Sequence, residues 1–240
     1  MLPPTYVEGF HDLEAVKAME YRPFGKTGLM VSKLSFGGGP LGSIRQGIKQ
    51  GINYIDTAPW YGQGRSETTI GKALKGIPRK AYYIATKVGR YELNYENMFN
   101  FSKEKTRSSF LESLQLLGLD YVDVIQVRTI NFLWFVSFIT YCRGQGKLFK
   151  AYYIQYPYFS ELYLLTGAPT WHPSSEQTKE ICDHDIELAK LALWYSMQCK
   201  DIATYLVGMQ NLKELQINLD VVKNGITDKE KNVLQEIQEK

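Results

Sequence analysis

Residues Gly51–Glu67 read GINYIDTAPWYGQGRSE, and this stretch decides the fold. Asn53 to Asp56 is a short β-branched and aromatic run that stops in a polar, glycine-bearing loop, the signature of a strand end. Ser66 to Lys75 then carries a helical pattern, and Tyr82 to Lys87 is the next strand. Two strands joined by a helix run parallel, because the helix carries the chain back to the starting edge. Working outward, the same alternation continues. Tyr21 to Phe24, the turn Gly25-Lys26-Thr27-Gly28 and Leu29 to Val31 form a hairpin. Lys33 to Phe36 is a strand running into Gly37-Gly38-Gly39, and Tyr121 to Val127, Leu148 to Ile154 and Ala203 to Val207 are further strands. Ser102 can cap a helix carrying Phe110, Leu111, Leu114 and Leu117, which Gly118 stops. Ile186 to Met197 is another helix, and Asn211 with Glu214 and Thr227 with Glu230 have capping-box spacing. The class is α/β, with active-site residues expected where strands end.

The composition agrees. The chain has 240 residues, 44% hydrophobic and 22% charged, which suits a packed globular core and not a disordered chain. A net charge of +3 is too small a bias to imply a nucleic acid partner or an anionic membrane. Cys142, Cys182 and Cys199 include no CxxC pair, so neither a disulfide framework nor a zinc ribbon organises the fold, no metal site is expected, and a reduced cytoplasmic location is favoured. Residues 1–20 carry prolines and charges rather than a signal peptide's apolar block, and read as an N-terminal extension before a domain at 21–240. Phe132 to Cys142, FLWFVSFITYC, is too short to span a bilayer and reads as a buried helix or strand; exposed, it would be a surface for a protein partner.

Three polar residues fall at or just beyond strand ends: Asp56, Tyr61 five residues later, and Lys87. Alone, each is ordinary: a turn acid, a packing aromatic, a solvated lysine. Together they make a mechanism. A phenol with a pKa of about 10 is a poor proton donor or acceptor at neutral pH. A nearby ammonium favours the phenolate, and a carboxylate fixes that ammonium in place. The product is a tuned acid suited to a carbonyl oxygen that is receiving a hydride.

GINYIDTAPWYGQGRSE, IGKALKGIPR and YYIATKVGRY closely resemble the aldo-keto reductases, in particular the L-galactose dehydrogenase-like branch. Phe24–Ser43, Phe101–Val127 and Ile202–Asp220 extend the similarity over most of the chain after Glu20. The resemblance implies a (β/α)8 TIM barrel, NAD or NADP bound across its C-terminal face, and an aldose or a small aldehyde or ketone as substrate. Asp56, Tyr61 and Lys87 match three of the family's four catalytic positions. Arg128 stands at the fourth, where the family has a histidine. At the end of the fifth strand the resemblance places Ile154 and Gln155, of which Gln155 keeps an amide for the cofactor. Gly208, Met209, Glu214 and Asn218 match positions that hold the adenosine end.

The chain also departs from the family in length. Gly42-Ser43 runs almost directly into Ile44 to Gly51, and Tyr156-Pro157 passes quickly to LLTGAPTWHPSSE at Leu164–Glu176. This implies a shortened first helix and an incomplete barrel lacking strands six and seven, and with them part of the pyrophosphate cradle. A carboxylate at Glu214 disfavours a 2′-phosphate and leans towards NAD, or Glu214 is simply a capping residue. Two functions follow: a hydride-transferring oxidoreductase, impaired by Arg128 and the missing strands, or a non-catalytic relative that binds a nucleotide or a protein.

Overall fold

The computed structural model describes residues 2–37, 43–127 and 188–238. Its core is a five-stranded parallel sheet built in the order β6-β5-β4-β3-β7. These strands are β3 (Leu34–Gly37), β4 (Tyr54–Asp56), β5 (Tyr83–Val88), β6 (Val124–Val127) and β7 (Tyr205–Val207). The expected strand at Leu148 to Ile154, the Pro157–Leu164 passage and the Phe132–Cys142 run lie outside the described residues, as do Arg128 and Gln155. A separate antiparallel hairpin joins β1 (Tyr21–Pro23) to β2 (Met30–Ser32), with Tyr21 opposite Ser32 and Pro23 opposite Met30.

Strand alternation sorts the sheet's residues onto two faces. Tyr54, Ala85 and Val124 share one face and pack with Leu29 and Val31 of the hairpin, so the hairpin closes one end of that face. Ile55, Ile84 and Ile125 point the other way, into the large cluster that the helices cover. Asp56, Lys87 and Gln126 continue the first face towards the C-terminal edge, two residues beyond Tyr54, Ala85 and Val124. In the parallel register Ala85 pairs with Asp56 and Lys87 with Gln126, so Lys87 and Gln126 stand two residues further along the sheet than Asp56.

Helices α2 (Ile44–Lys49), α3 (Arg65–Leu74), α4 (Lys103–Leu117), α5 (Leu188–Ser196), α6 (Leu212–Asn224) and α7 (Asp228–Gln238) follow the sequence patterns closely. Ser102 accepts from the Lys105 amide at the start of α4, and Gly118 ends it with φ 65°, where a side chain is costly. Helix α2 has only six residues, in line with the shortened segment after Gly42. Helix α3 lies so close to the end of α4 that a Cβ on Gly71 would stand 2.5 Å from the Leu116 carbonyl oxygen.

The N-terminal segment packs against the rest of the chain. It holds a helix, α1 (Leu13–Ala18), capped by Asp12, with Ala15 and Val16 buried. Asn53 at the foot of β4 donates to Thr5 Oγ1 at 2.9 Å and to the Met30 carbonyl at 2.8 Å. One side chain therefore ties the segment, the hairpin and the sheet together.

Candidate active site

The site grows from the ends of β4 and β5. Asp56 and Lys87 are almost completely buried, at 2% and 4% exposure. An ammonium and a carboxylate enter such a place only as partners, since each alone would lose its hydration uncompensated. Lys87 Nζ donates to Asp56 Oδ2 and, at 3.2 Å, to the Thr57 carbonyl. It also stands 5.0 Å from the centroid of the Tyr61 ring, within cation–π range. The ammonium thus lies between the acid and the phenol, and the structure brings together the three residues selected from the sequence.

The loop that presents Tyr61 is held by its own backbone. The Thr57 amide donates to the Ala85 carbonyl at 2.9 Å, and the Tyr61 amide to the Ala58 carbonyl at 3.1 Å. Gly62, Gln63 and Gly64 follow with φ of 61°, 53° and 81°. Three successive left-handed residues turn the chain sharply into α3, and glycine supplies two of them without a Cβ penalty. The Ser66 amide then reaches back to the Tyr61 carbonyl at 3.2 Å. Tyr61 itself is half-buried, open enough to meet a ligand. Beside it, the Arg90 guanidinium lies 3.7 Å from the Trp60 ring centroid and donates to Met98 Sδ at 3.1 Å.

Two further side chains join the site. Gln126 Nε2 donates to Asp56 Oδ1 at 2.7 Å, so both carboxylate oxygens have donors. Behind β5, on the helix-covered face, Glu67 of α3 is completely buried and accepts from Thr86 Oγ1 at 2.6 Å. Burial pushes the Glu67 carboxyl above its ordinary range, with the Thr86 and Ser113 hydroxyls pulling the other way. The sequence held a signal for Gln126: a lone amide in the apolar strand VIQV. Glu67 gave none, because an acid in the first turn of a helix reads as a dipole partner.

The remaining candidates lie at the loop after β7. Gly208 is exposed, and among the described residues nothing lies within 4 Å of where its Cβ would stand. Met209 turns its side chain into the core, while its carbonyl accepts from Ser43 Oγ at 2.9 Å. Glu214 completes the capping box: its carboxylate accepts from the Gln210 amide and from Asn211 Nδ2, both at 2.7 Å, and its own amide donates to Asn211 Oδ1. Asn218 is half-buried one turn further along α6. An open glycine backbone beside a helix start fits the approach of a nucleotide. No group of three or more metal-ligating side chains occurs among the described residues, nor any helix long and apolar enough to cross a membrane.

The comparisons with known proteins now bear on this geometry. Residues 43–135 match the model of the aldo/keto reductase family. The L-galactose dehydrogenase of Arabidopsis thaliana is 30% identical, with 85% of this chain and 88% of that protein covered. The chain belongs to the aldo/keto reductase family. The plant alignment runs over 290 residues, more than the 240 of this chain, so the relative carries stretches with no counterpart here. The NADH-specific methylglyoxal reductase of Escherichia coli (strain K12) is 33% identical over 44% of this chain and 40% of its own length. In structure, the holo form of an aldo-keto reductase from Bacillus halodurans superposes with a TM-score of 0.65 at 25% identity, covering 91% of this chain and 96% of that one. The fold is therefore the family's α/β barrel type, of which β3 to β7 are the described strands.

Proposed function

We propose that this chain is an NAD(P)-dependent oxidoreductase that moves a hydride between the nicotinamide and an aldose or a small aldehyde or ketone. The observation that carries the reading is the buried Lys87 ammonium held between Asp56 and the ring of Tyr61. In this reading Tyr61 gives a proton to the carbonyl oxygen during reduction and takes it back during oxidation. Lys87 sets a positive charge beside the ring of Tyr61, and Asp56 holds Lys87 in place. Arg128 replaces the usual imidazole with a longer, permanently charged fork of donors, which impairs the positioning of the carbonyl.

Bound nicotinamide supplies the hydride acceptor or donor. Gly208, Met209 and Asn218 hold its adenosine end, Met209 through its backbone, and Gln155 serves the nicotinamide end. Glu214 places a carboxylate in the capping box, where a 2′-phosphate would be repelled, so NAD is favoured over NADP. The NADH-specific E. coli relative supports that preference. A cytoplasmic location belongs to the same reading, on the scarcity of cysteine.

The test has two arms. Titration of the full chain with NADH and NADPH, followed by nicotinamide fluorescence, reads cofactor binding. Reduction of methylglyoxal and oxidation of L-galactose, wild type against Tyr61→Phe, reads chemistry. The variant is expected to bind cofactor equally and to lose about 100-fold or more in kcat. Binding without turnover by the wild type would favour the non-catalytic nucleotide-binding relative, and absence of binding would sink both readings.

A further inference from the structure

Gln126 occupies a position that an apolar residue would fill more cheaply. It is 3% exposed, in the apolar strand β6, directly opposite Lys87 in the parallel register. Its Nε2 donates to Asp56 Oδ1 at 2.7 Å and lies 3.4 Å from the Tyr54 hydroxyl. Its Oε1 is buried without a hydrogen-bond partner among the described residues. An amide buried with one end unpaired is costly, and a leucine of similar volume would avoid that cost. The end that is paired faces the one carboxylate oxygen that Lys87 does not use.

We propose that Gln126 is a positioning residue for the reaction: its amide clamps the Asp56 carboxylate from β6, and through Asp56 it fixes the Lys87 ammonium beside Tyr61. This rests on the oxidoreductase reading above. Among the described residues, the titratable groups around Gln126 are Asp56 and Tyr54 on β4 and Lys87 on β5. Asp56 accepts from Lys87 at one carboxylate oxygen and from Gln126 at the other. A donor lost on the β6 side leaves the carboxylate free to pivot about its contact with Lys87. The ammonium then loses its fixed distance from the phenol.

Gln126→Glu is the decisive variant because it keeps the shape. At low pH the new carboxyl is protonated and can donate to Asp56 as the amide does. As pH rises it loses that proton and sets a second anion against Asp56. The group's folded pKa is therefore raised, so the variant's stability matches wild type at the acid end and is lost as pH climbs. The experiment measures Tm and kcat for wild type, Gln126→Glu and Gln126→Leu between about pH 5.5 and 8.5, with NADH and methylglyoxal. The expected Gln126→Glu to wild-type ratio in kcat is near one at the acid end and falls about tenfold across the range, in step with Tm. Gln126→Leu is expected to lose about tenfold at every pH, with no added pH break.

Parallel Tm curves for Gln126→Glu and wild type would overturn the clamp itself, whatever the activity. A Tm difference that widens with pH while the kcat ratio stays flat would overturn the positioning role. A wild type that reduces nothing while the Tm difference widens would overturn the proposed activity, and this role with it, and leave the contact standing.

Discussion

Replacing Lys87 with methionine removes one partner of an ion pair whose side chains are only 5% and 3% exposed. Methionine fills the volume of the lysine stem, so the change is chiefly electrostatic. Asp56 would keep the Gln126 amide at 2.7 Å and would lose its ammonium. An uncompensated buried charge of this kind costs about 3–5 kcal/mol. In a chain of this size each kcal/mol lowers Tm by about 2–4 °C, so a fall of roughly 6–20 °C is expected. Asp56→Asn in the same chain removes the stranded charge. The double variant should then be more stable than the sum of the two single losses by about 2 kcal/mol, the coupling of groups in direct contact. Urea unfolding followed by tryptophan fluorescence and by far-ultraviolet circular dichroism measures all four proteins. A Lys87→Met protein within about 1 kcal/mol of wild type, or strictly additive losses, would refute the buried pair as the centre of the site.

Glu67→Gln separates the burial of Glu67 from its hydrogen bond to Thr86. Because burial raises the wild-type carboxyl, its share of stability is present at low pH and is lost as pH rises through the raised value. The variant should gain on wild type between about pH 5 and 8 in urea unfolding, and a constant difference would contradict this. Gly71→Ala, which in an exposed helix would stabilise by about 1 kcal/mol, should instead cost about 1–3 kcal/mol, because its Cβ would meet the Leu116 and Leu117 carbonyl oxygens at 2.5 and 2.7 Å. A stabilised variant by thermal melting would mean that α3 and α4 pack further apart. Arg128→His should raise methylglyoxal turnover by on the order of 100-fold in protein that binds cofactor, the worth of one well-aimed donor. Equal steady-state rates would make Arg128 competent as it stands.

The parts of the molecule that were legible are those written in local chemistry. Ser102 and Gly118 bracket α4 because a cap needs a side-chain oxygen at one end and a left-handed residue at the other. Asp56 and Lys87 were visible because each is a charge closing an apolar strand. Gln126 became meaningful only through the β5–β6 register, which sets it opposite Lys87 and is a long-range fact. Helix α1 has six residues, too few for a periodic pattern to show, and Val16 is buried where it meets the turn at Gly51. Glu214 could be read either as a capping residue or as a ligand group, and the structure shows the cap without deciding the ligand. Met209 matches a family cofactor position, yet its side chain is spent on the core.

The strand order β6-β5-β4-β3-β7 has a consequence for how the chain assembles. Four of these strands are neighbours in sequence and can zip up as they emerge. The fourth pairing, Leu34 with Tyr205 and Phe36 with Val207, must wait for about 170 residues to close into a ring. Closure of so long a loop slows folding, since its entropy is lost before the contact is gained. Its equilibrium cost, however, grows only with the logarithm of length, so halving the ring changes it by about 0.6 kcal/mol. The stretch between β6 and β7 is thus the part of the chain where evolution can add or remove whole segments with least effect on whether first and last strands meet.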